Sequence, residues 1–68
     1  MKTETPFYER PCAAKGLTSY RYDNGPYGYI MIGAKDRDDA LREARRSVSK
    51  PVTSLRLEVW TGDKYTPV

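Results

Sequence analysis

The hydrophobic and polar positions divide the chain into an irregular first part and a regularly patterned remainder. Residues 1–16 show no sustained period of 2 or 3.6, although Phe7 and Tyr8 provide apolar groups with which this part can dock. From Leu17 onward, apolar residues recur with the periods of strands and of a helix. The pattern therefore predicts an extended N-terminal arm over residues 1–16 and a single α+β domain over residues 17–68.

A β-hairpin is predicted at the start of this domain. Two segments rich in Tyr, Ile and Thr, 17–22 and 27–34, flank the turn sequence Asp23-Asn24-Gly25-Pro26. The pairs that follow from a two-residue turn are Thr18 with Met31, Tyr20 with Tyr29, and Tyr22 with Tyr27. Because side chains alternate along a strand, this register places four tyrosines on one face and leaves the other face for the core.

One amphipathic helix of about three turns is predicted next. Asp36 is suited to cap it, with Asp39 at the acidic position of a capping box. Pro51 ends the helical pattern. The apolar residues at helical spacing are Ala40, Leu41, Ala44 and Val48. They form one narrow stripe, which we expect to face the sheet.

A third strand and a short fourth strand follow the helix. Leu55, Leu57 and Val59 alternate with other residues, which is the period of a half-buried strand. A turn over residues 61–64 places Trp60 opposite Tyr65. With a right-handed crossover, the third strand lies beside the first, giving the order 2-1-3. The fold prediction is thus a two-layer ββαβ(β) domain, an antiparallel sheet of three to four strands packed on one α-helix. The predicted core comprises Leu17, Ile30, Ile32, Ala40, Leu41, Ala44, Val48, Leu55, Leu57 and Val59.

Composition limits the class of protein. A chain of 68 residues can close only one modest core, and 38% hydrophobic with 31% charged residues is typical of a soluble domain. The longest apolar run is far too short to span a membrane, and the N-terminus lacks the pattern of a secretory signal. Cys12 is the only cysteine, so no intrachain disulfide can form. We therefore expect a cytoplasmic protein with no membrane partner.

The sequence offers little for catalysis. Histidine is absent, so the commonest general base and metal ligand are missing, and Cys12 has no histidine to activate it. Asp36, Asp38 and Asp39 suit the positive end of a helix dipole better than a metal site. The glycines lack the context of a phosphate-binding loop. The prediction is a protein that is not an enzyme and has no catalytic residue, cofactor or metal.

Aromatic residues and arginines are the main candidates for binding. In the predicted register, six aromatic residues lie on the sheet face away from the helix, and two adjacent arginines end the helix. Tyr, Trp and Arg dominate binding hot spots, and Arg suits both carboxylates and phosphates. The predicted partner-binding residues are Tyr20, Tyr22, Tyr27, Tyr29, Trp60, Tyr65, Arg45 and Arg46. The alternative is that the N-terminal arm folds across this face, with Phe7 and Tyr8 forming a second small core.

Three stretches, Cys12–Arg21, Tyr27–Ala34 and Asp39–Ala44, resemble the small accessory proteins that bacteriophages and prophages encode. In size and compact ββαβ pattern the chain is similar to anti-CRISPR inhibitors. That resemblance implies a non-enzymatic protein of the host bacterial cytoplasm, which binds a host protein or ribonucleoprotein complex and blocks target binding or nuclease recruitment. With a net charge of +3, the chain departs from the acidic inhibitors that mimic DNA.

Two other interpretations stay open. A small nucleic-acid-binding module could use the tyrosine-rich sheet face to stack bases and the basic helix end to contact phosphates. Against it, acidic residues are mixed among the basic ones, and Glu58 lies on the same strand face as Trp60. A homodimer formed through the tyrosine face is the other option.

Overall fold

Residues 6–68, which the computed structural model describes, form a four-stranded sheet with one helix packed on it. The strands and helix are β1 (Thr18–Asp23), β2 (Tyr29–Ala34), α1 (Arg37–Ser47), β3 (Leu57–Trp60) and β4 (Tyr65–Pro67). Single 3₁₀ turns lie at Phe7–Glu9, Gly25–Tyr27 and Ser54–Arg56. The sheet order is β2-β1-β3-β4, and all neighbouring strands are antiparallel. The predicted α+β arrangement, with the third strand beside the first, is confirmed.

The connection between β1 and β2 is longer than predicted. A two-residue turn at Asn24 and Gly25 needs a hydrogen bond from residue 26 back to residue 23, and Pro26 has no N–H to donate. The chain instead makes a 3₁₀ turn, in which the Gly28 N–H donates to the Gly25 carbonyl at 3.1 Å, and the Asn24 N–H closes the connection by donating to the Gly28 carbonyl at 2.8 Å. Gly28 has φ +91°, which suits glycine. The observed pairs are Tyr20 with Ile32, Tyr22 with Ile30, and Asp23 with Tyr29.

This register changes which face each tyrosine occupies. It differs from the predicted one by an odd number of residues, so the side chains of β2 exchange faces relative to those of β1. Tyr20 and Tyr22 therefore lie with Ile30 and Ile32 on the helix side and are buried there. Tyr29 is on the opposite face, paired with Asp23. The prediction that four tyrosines share one face is wrong.

The helix begins as predicted and packs closely on the sheet. Asp36 caps it by accepting a hydrogen bond from the Asp39 N–H at 2.8 Å, and Asp39 in turn accepts one from the Lys35 N–H at 3.1 Å. Ala40 and Ala44 are fully buried. Because alanine carries only a methyl group, the helix can lie close to the two tyrosines of β1.

Two leucines of the predicted core are exposed. Leu55 belongs to the 3₁₀ turn Ser54–Arg56, so the strand pattern starts later than predicted and this side chain is 89% exposed. Leu17 precedes β1 in a turn closed by a hydrogen bond to Ala14, and it is 40% exposed. Tyr20 and Tyr22 supply the buried volume instead. The Tyr22 hydroxyl accepts a hydrogen bond from the Thr53 N–H at 3.1 Å, which satisfies a phenol in the core.

Candidate binding surface

Arg21 occupies the centre of the sheet face opposite the helix. Its Nε donates to Glu58 Oε1 at 2.6 Å, across the β1–β3 pair. The guanidinium carbon lies 4.3 Å from the ring centroid of Tyr29 and 4.7 Å from that of Tyr65. Both rings are therefore within cation–π distance of one buried charge. This face is built around a paired arginine rather than around a cluster of exposed aromatic rings.

The N-terminal segment lies across this face. Arg21 Nη1 donates to the Tyr8 carbonyl at 2.6 Å and to Glu9 Oε1 at 2.8 Å. The Tyr8 ring stacks on Tyr29 with centroids 5.3 Å apart. The Tyr65 hydroxyl donates to the Arg10 carbonyl at 2.7 Å. Arg21 thus links the arm to the sheet through both its charge and its neighbouring rings.

Farther along the arm, small residues of β1 and β2 contact its backbone. Ser19 Oγ accepts hydrogen bonds from the backbone N–H groups of Cys12 and Ala13, at 2.9 and 2.8 Å. A β-carbon at Gly33 would lie 3.2 Å from the Ala13 α-carbon, closer than such atoms normally come. Glycine at this position therefore gives the arm room to lie against the sheet.

Burial and pairing shift the acidities of two groups beneath the arm. Burial raises the pKa of Tyr65 to about 12, with the nearby Cys12 thiol as the next contribution. Burial alone would lower the pKa of Arg21, but the hydrogen bonds to Glu58 and Glu9 outweigh it and raise the pKa. Both groups therefore stay in their usual forms, a neutral phenol and a guanidinium cation, far above neutral pH.

The eight predicted binding residues fall into different environments. Tyr20 and Tyr22 are buried under the helix, and Tyr65 is buried at the arm. Tyr29 and Trp60 are half-buried, Trp60 with its ring against Tyr65 at 5.2 Å. The structure therefore does not bring these residues together on one open face. Those that remain exposed are Tyr27, Arg45 and Arg46.

Exposed aromatic side chains gather instead at one end of the sheet. An open hollow of about 610 Å³ is lined by Phe7, Tyr8, Tyr27, Gly28 and Tyr29, and we call it the aromatic hollow. Tyr27 is 81% exposed and Phe7 is 57% exposed. The Phe7 and Tyr8 rings meet edge to face at 5.4 Å. The arm thus covers the centre of the sheet and adds two aromatic rings beside the β1–β2 connection.

Four exposed basic residues follow one another from the last turn of α1 to the start of β3, and we call Arg45, Arg46, Lys50 and Arg56 the basic segment. Tyr27 also borders a groove formed with residues 47–50, and Lys50 and Arg56 line the adjoining groove. Residues 42–56 contain five basic residues and one acidic residue, a net charge of +4 against +3 for the whole chain. Arg46 lies 3.6 Å from Glu43, but the ion pairs among residues 6–68 do not include Arg45, Lys50 or Arg56.

The predicted partner-binding residues do not include Phe7, Tyr8, Lys50 or Arg56. Pro26 is the sequence feature from which the role of Phe7 and Tyr8 could have been predicted. It excludes the two-residue turn, and the longer turn sends the Tyr27 ring to the end of the sheet, beside the arm. Lys50 and Arg56 come together only through the fold of the segment between α1 and β3.

Comparison with protein-family models, with curated proteins and with solved structures found no match for this chain. Within residues 6–68, no group of three or more His, Cys, Asp or Glu side chains is arranged to hold a metal ion. Over the same residues, no helix has both the length and the apolar character needed to cross a bilayer.

Proposed function

We propose that this protein is a non-enzymatic binding protein that attaches to a host protein complex through the aromatic hollow. The observation that carries the proposal is the exposure of Phe7 and Tyr27 in one concave site, flanked by Tyr8 and Tyr29. Large aromatic side chains contribute most to binding when they enter a partner's pocket and lose water. An exposed aromatic cluster on so small a domain is typical of an interaction surface.

The hollow is also preorganised for binding. Tyr8 stacks on Tyr29, and its carbonyl accepts a hydrogen bond from the buried Arg21. Tyr27 follows Pro26 in a 3₁₀ turn between two glycines of positive φ. The Tyr8 ring and the Tyr27 backbone are therefore already ordered before binding and lose little conformational freedom, which favours affinity.

The kind of partner follows from the resemblance to small phage proteins. In this proposal the chain acts in the host bacterial cytoplasm as an anti-CRISPR-like inhibitor, which covers a surface of an effector complex needed for target binding or for nuclease recruitment. Its role is steric. Occupation of the partner's surface by a folded domain requires no catalytic group.

Nucleic-acid binding is the second candidate, and the basic segment is the observation that favours it. Lys50 and Arg56 have no ion-pair partner among residues 6–68, and they line grooves shared with Tyr27 and Tyr29. Cations beside aromatic rings are a combination found in proteins that bind single strands. The centre of the sheet is less suited to this role. The arm covers it, and Glu58 and Glu9 bring negative charge to it.

The test uses purified protein as bait with bacterial lysate, followed by binding measurements with the captured complex and a CRISPR interference assay. We expect Tyr27→Ala to weaken partner binding by about 1 to 4 kcal/mol without loss of folding. Leu17→Ala is the matched control, because this side chain is also exposed and apolar but precedes β1, at the opposite end of the strand from the hollow. The control should bind like the wild type.

Two results would contradict the proposal. One is equal binding by Tyr27→Ala and wild type to every captured complex. The other is binding to bare single-stranded DNA or RNA that falls steeply with salt and is lost in Lys50→Glu with Arg56→Glu, which would assign the surface to nucleic acid.

A further inference from the structure

The two edges of the sheet differ in their capacity to accept another strand. In an antiparallel pair, residues alternate between those whose backbone groups bond to the neighbour and those whose groups point away. The Asn24 N–H donates to the Gly28 carbonyl, so the pairs of β1 and β2 that exchange hydrogen bonds are Tyr22 with Ile30 and Tyr20 with Ile32. The N–H and C=O groups of Tyr29, Met31 and Gly33 therefore point outward from β2. None of these six groups has a hydrogen-bond partner among residues 6–68.

The opposite edge is protected. Hydrogen bonds from Thr61 to Lys64 and from Val68 to Leu57 fix the alternation along β3 and β4. Tyr65 and Pro67 are then the outward residues of β4. Proline has no N–H, and β4 is only three residues long, so this edge offers one outward donor. Short strands and proline are the means by which proteins keep an edge from pairing.

β2 has none of these protections. It is six residues long and contains no proline, and it lies in an uncharged stretch from Asn24 to Ala34 in a chain of which 31% is charged. Tyr29, Ile30 and Met31 are only half-buried. A strand added at this edge would cover apolar side chains on both faces of the sheet as well as pairing the outward backbone groups.

We propose that this edge binds a second copy of the chain, with two β2 strands paired antiparallel about a twofold axis into one eight-stranded sheet. Such a pair brings no like charges together, because β2 carries none. Charge complementarity of the helices supports the same partner. α1 packs on β2 and runs back along it, so the two helices lie antiparallel across the axis. The acidic first turn of each helix, with Asp38 and Asp39, then lies toward the basic last turn of the other, with Arg45 and Arg46.

Sedimentation velocity and amide hydrogen exchange on the full chain test this arrangement. The wild type should move from its monomer mass of 7.8 kDa to twice that mass as concentration rises from micromolar to millimolar. In the dimer, the amides of Tyr29, Met31 and Gly33 should exchange about tenfold or more slowly than in the monomer. Met31→Pro should remain a monomer, since it removes an outward donor and no bond to β1. Met31→Leu is the matched control, because it keeps the outward N–H and an apolar side chain, and it should dimerise like the wild type.

Amide hydrogen exchange measured on the wild type tests the proposed dimer even if Met31→Pro fails to fold. A chain that stays monomeric at millimolar concentration overturns the proposal. A dimer whose three outward amides exchange freely also overturns it, because the copies then meet elsewhere. If the amides become protected only on addition of a captured host complex, the edge belongs to that partner and the second copy is excluded. None of these results depends on whether the aromatic hollow binds a partner.

Discussion

Replacement of Arg21 by methionine tests whether one buried ion network holds the arm on the sheet. Methionine keeps an unbranched apolar stem of similar width, ending where arginine has its Nε, but it removes every hydrogen bond of the guanidinium. Those bonds reach Glu58, Glu9 and the Tyr8 carbonyl, at 2.6, 2.8 and 2.6 Å. The arm would then keep the bonds of Ser19 and Tyr65 but lose its attachment around Tyr8.

The expected loss of stability in Arg21→Met follows from how exposed Arg21 and its two carboxylate partners are. Removal of one partner from a fully buried pair costs about 3–5 kcal/mol, whereas exposed pairs contribute less than about 1 kcal/mol. The Arg21 side chain is 11% exposed, Glu58 is 27% exposed, and Glu9 is half-exposed, so the pair with Glu58 dominates. We therefore expect a loss of about 2–3 kcal/mol, a large part of the stability of a domain this small.

Urea and thermal unfolding followed by circular dichroism measure this loss. A change of 2–3 kcal/mol should lower the Tm by about 10–20 °C. The double variant Arg21→Met with Glu58→Gln should recover about 1 kcal/mol, because the single variant leaves the Glu58 carboxylate partly buried without a partner. Arg21→Lys should fall between methionine and arginine, since one ammonium cannot reproduce the planar fork. A Tm for Arg21→Met within about 2 °C of the wild type would refute the reasoning.

Two further predictions concern single buried side chains. Since folding raises the pKa of Tyr65 from 10.0 to about 12, its contribution to stability is complete below pH 10 and is lost as the pH rises through 12. Between pH 10 and pH 12 the free energy of unfolding of the wild type should therefore fall by about 2 kcal/mol more than that of Tyr65→Phe. If the two proteins lose stability in parallel over this range, the prediction for Tyr65 is wrong. Leu57 is fully buried in the core, opposite Tyr22 of β1, so Leu57→Ala should lower the free energy of unfolding in urea by about 2–5 kcal/mol. Leu55→Ala, at the 89% exposed position, is its control and should change stability by less than about 0.5 kcal/mol.

The architecture could be predicted from the sequence because each element carries its own local signal. Asp36 and Asp39 mark the helix start by capping chemistry, and the alternation of Leu57 and Val59 marks β3. Thr61 and Gly62 allow the turn that pairs Trp60 with Tyr65. The order of strands then follows from the handedness of the crossover. None of these signals depends on residues far away in the chain.

The candidate surface could not be predicted in this way because it depends on register and on long-range contacts. One residue, Pro26, changes the β1–β2 connection and thereby moves Tyr20 and Tyr22 into the core. A buried role for Arg21 requires Glu58 from β3 and Glu9 from the arm, which are distant in sequence. The alternation of apolar and polar residues along a strand by itself places an arginine such as Arg21 toward solvent. Its burial is possible only because the two carboxylates pair with it.

Loosening the arm distinguishes the aromatic hollow from the sheet face that the sequence predicts as the binding surface. Tyr8 lines the hollow, and Arg21 holds its carbonyl, so Arg21→Met should disorder one wall of the hollow and weaken binding of a captured partner. If the sheet face were the binding surface, the same change would uncover Tyr29, which the Tyr8 ring covers, and would strengthen binding. The two surfaces thus predict opposite signs from one substitution. Measured below the Tm of the variant, where both proteins are folded, a stronger association for Arg21→Met would mean that the arm is an inhibitory cover rather than part of the site.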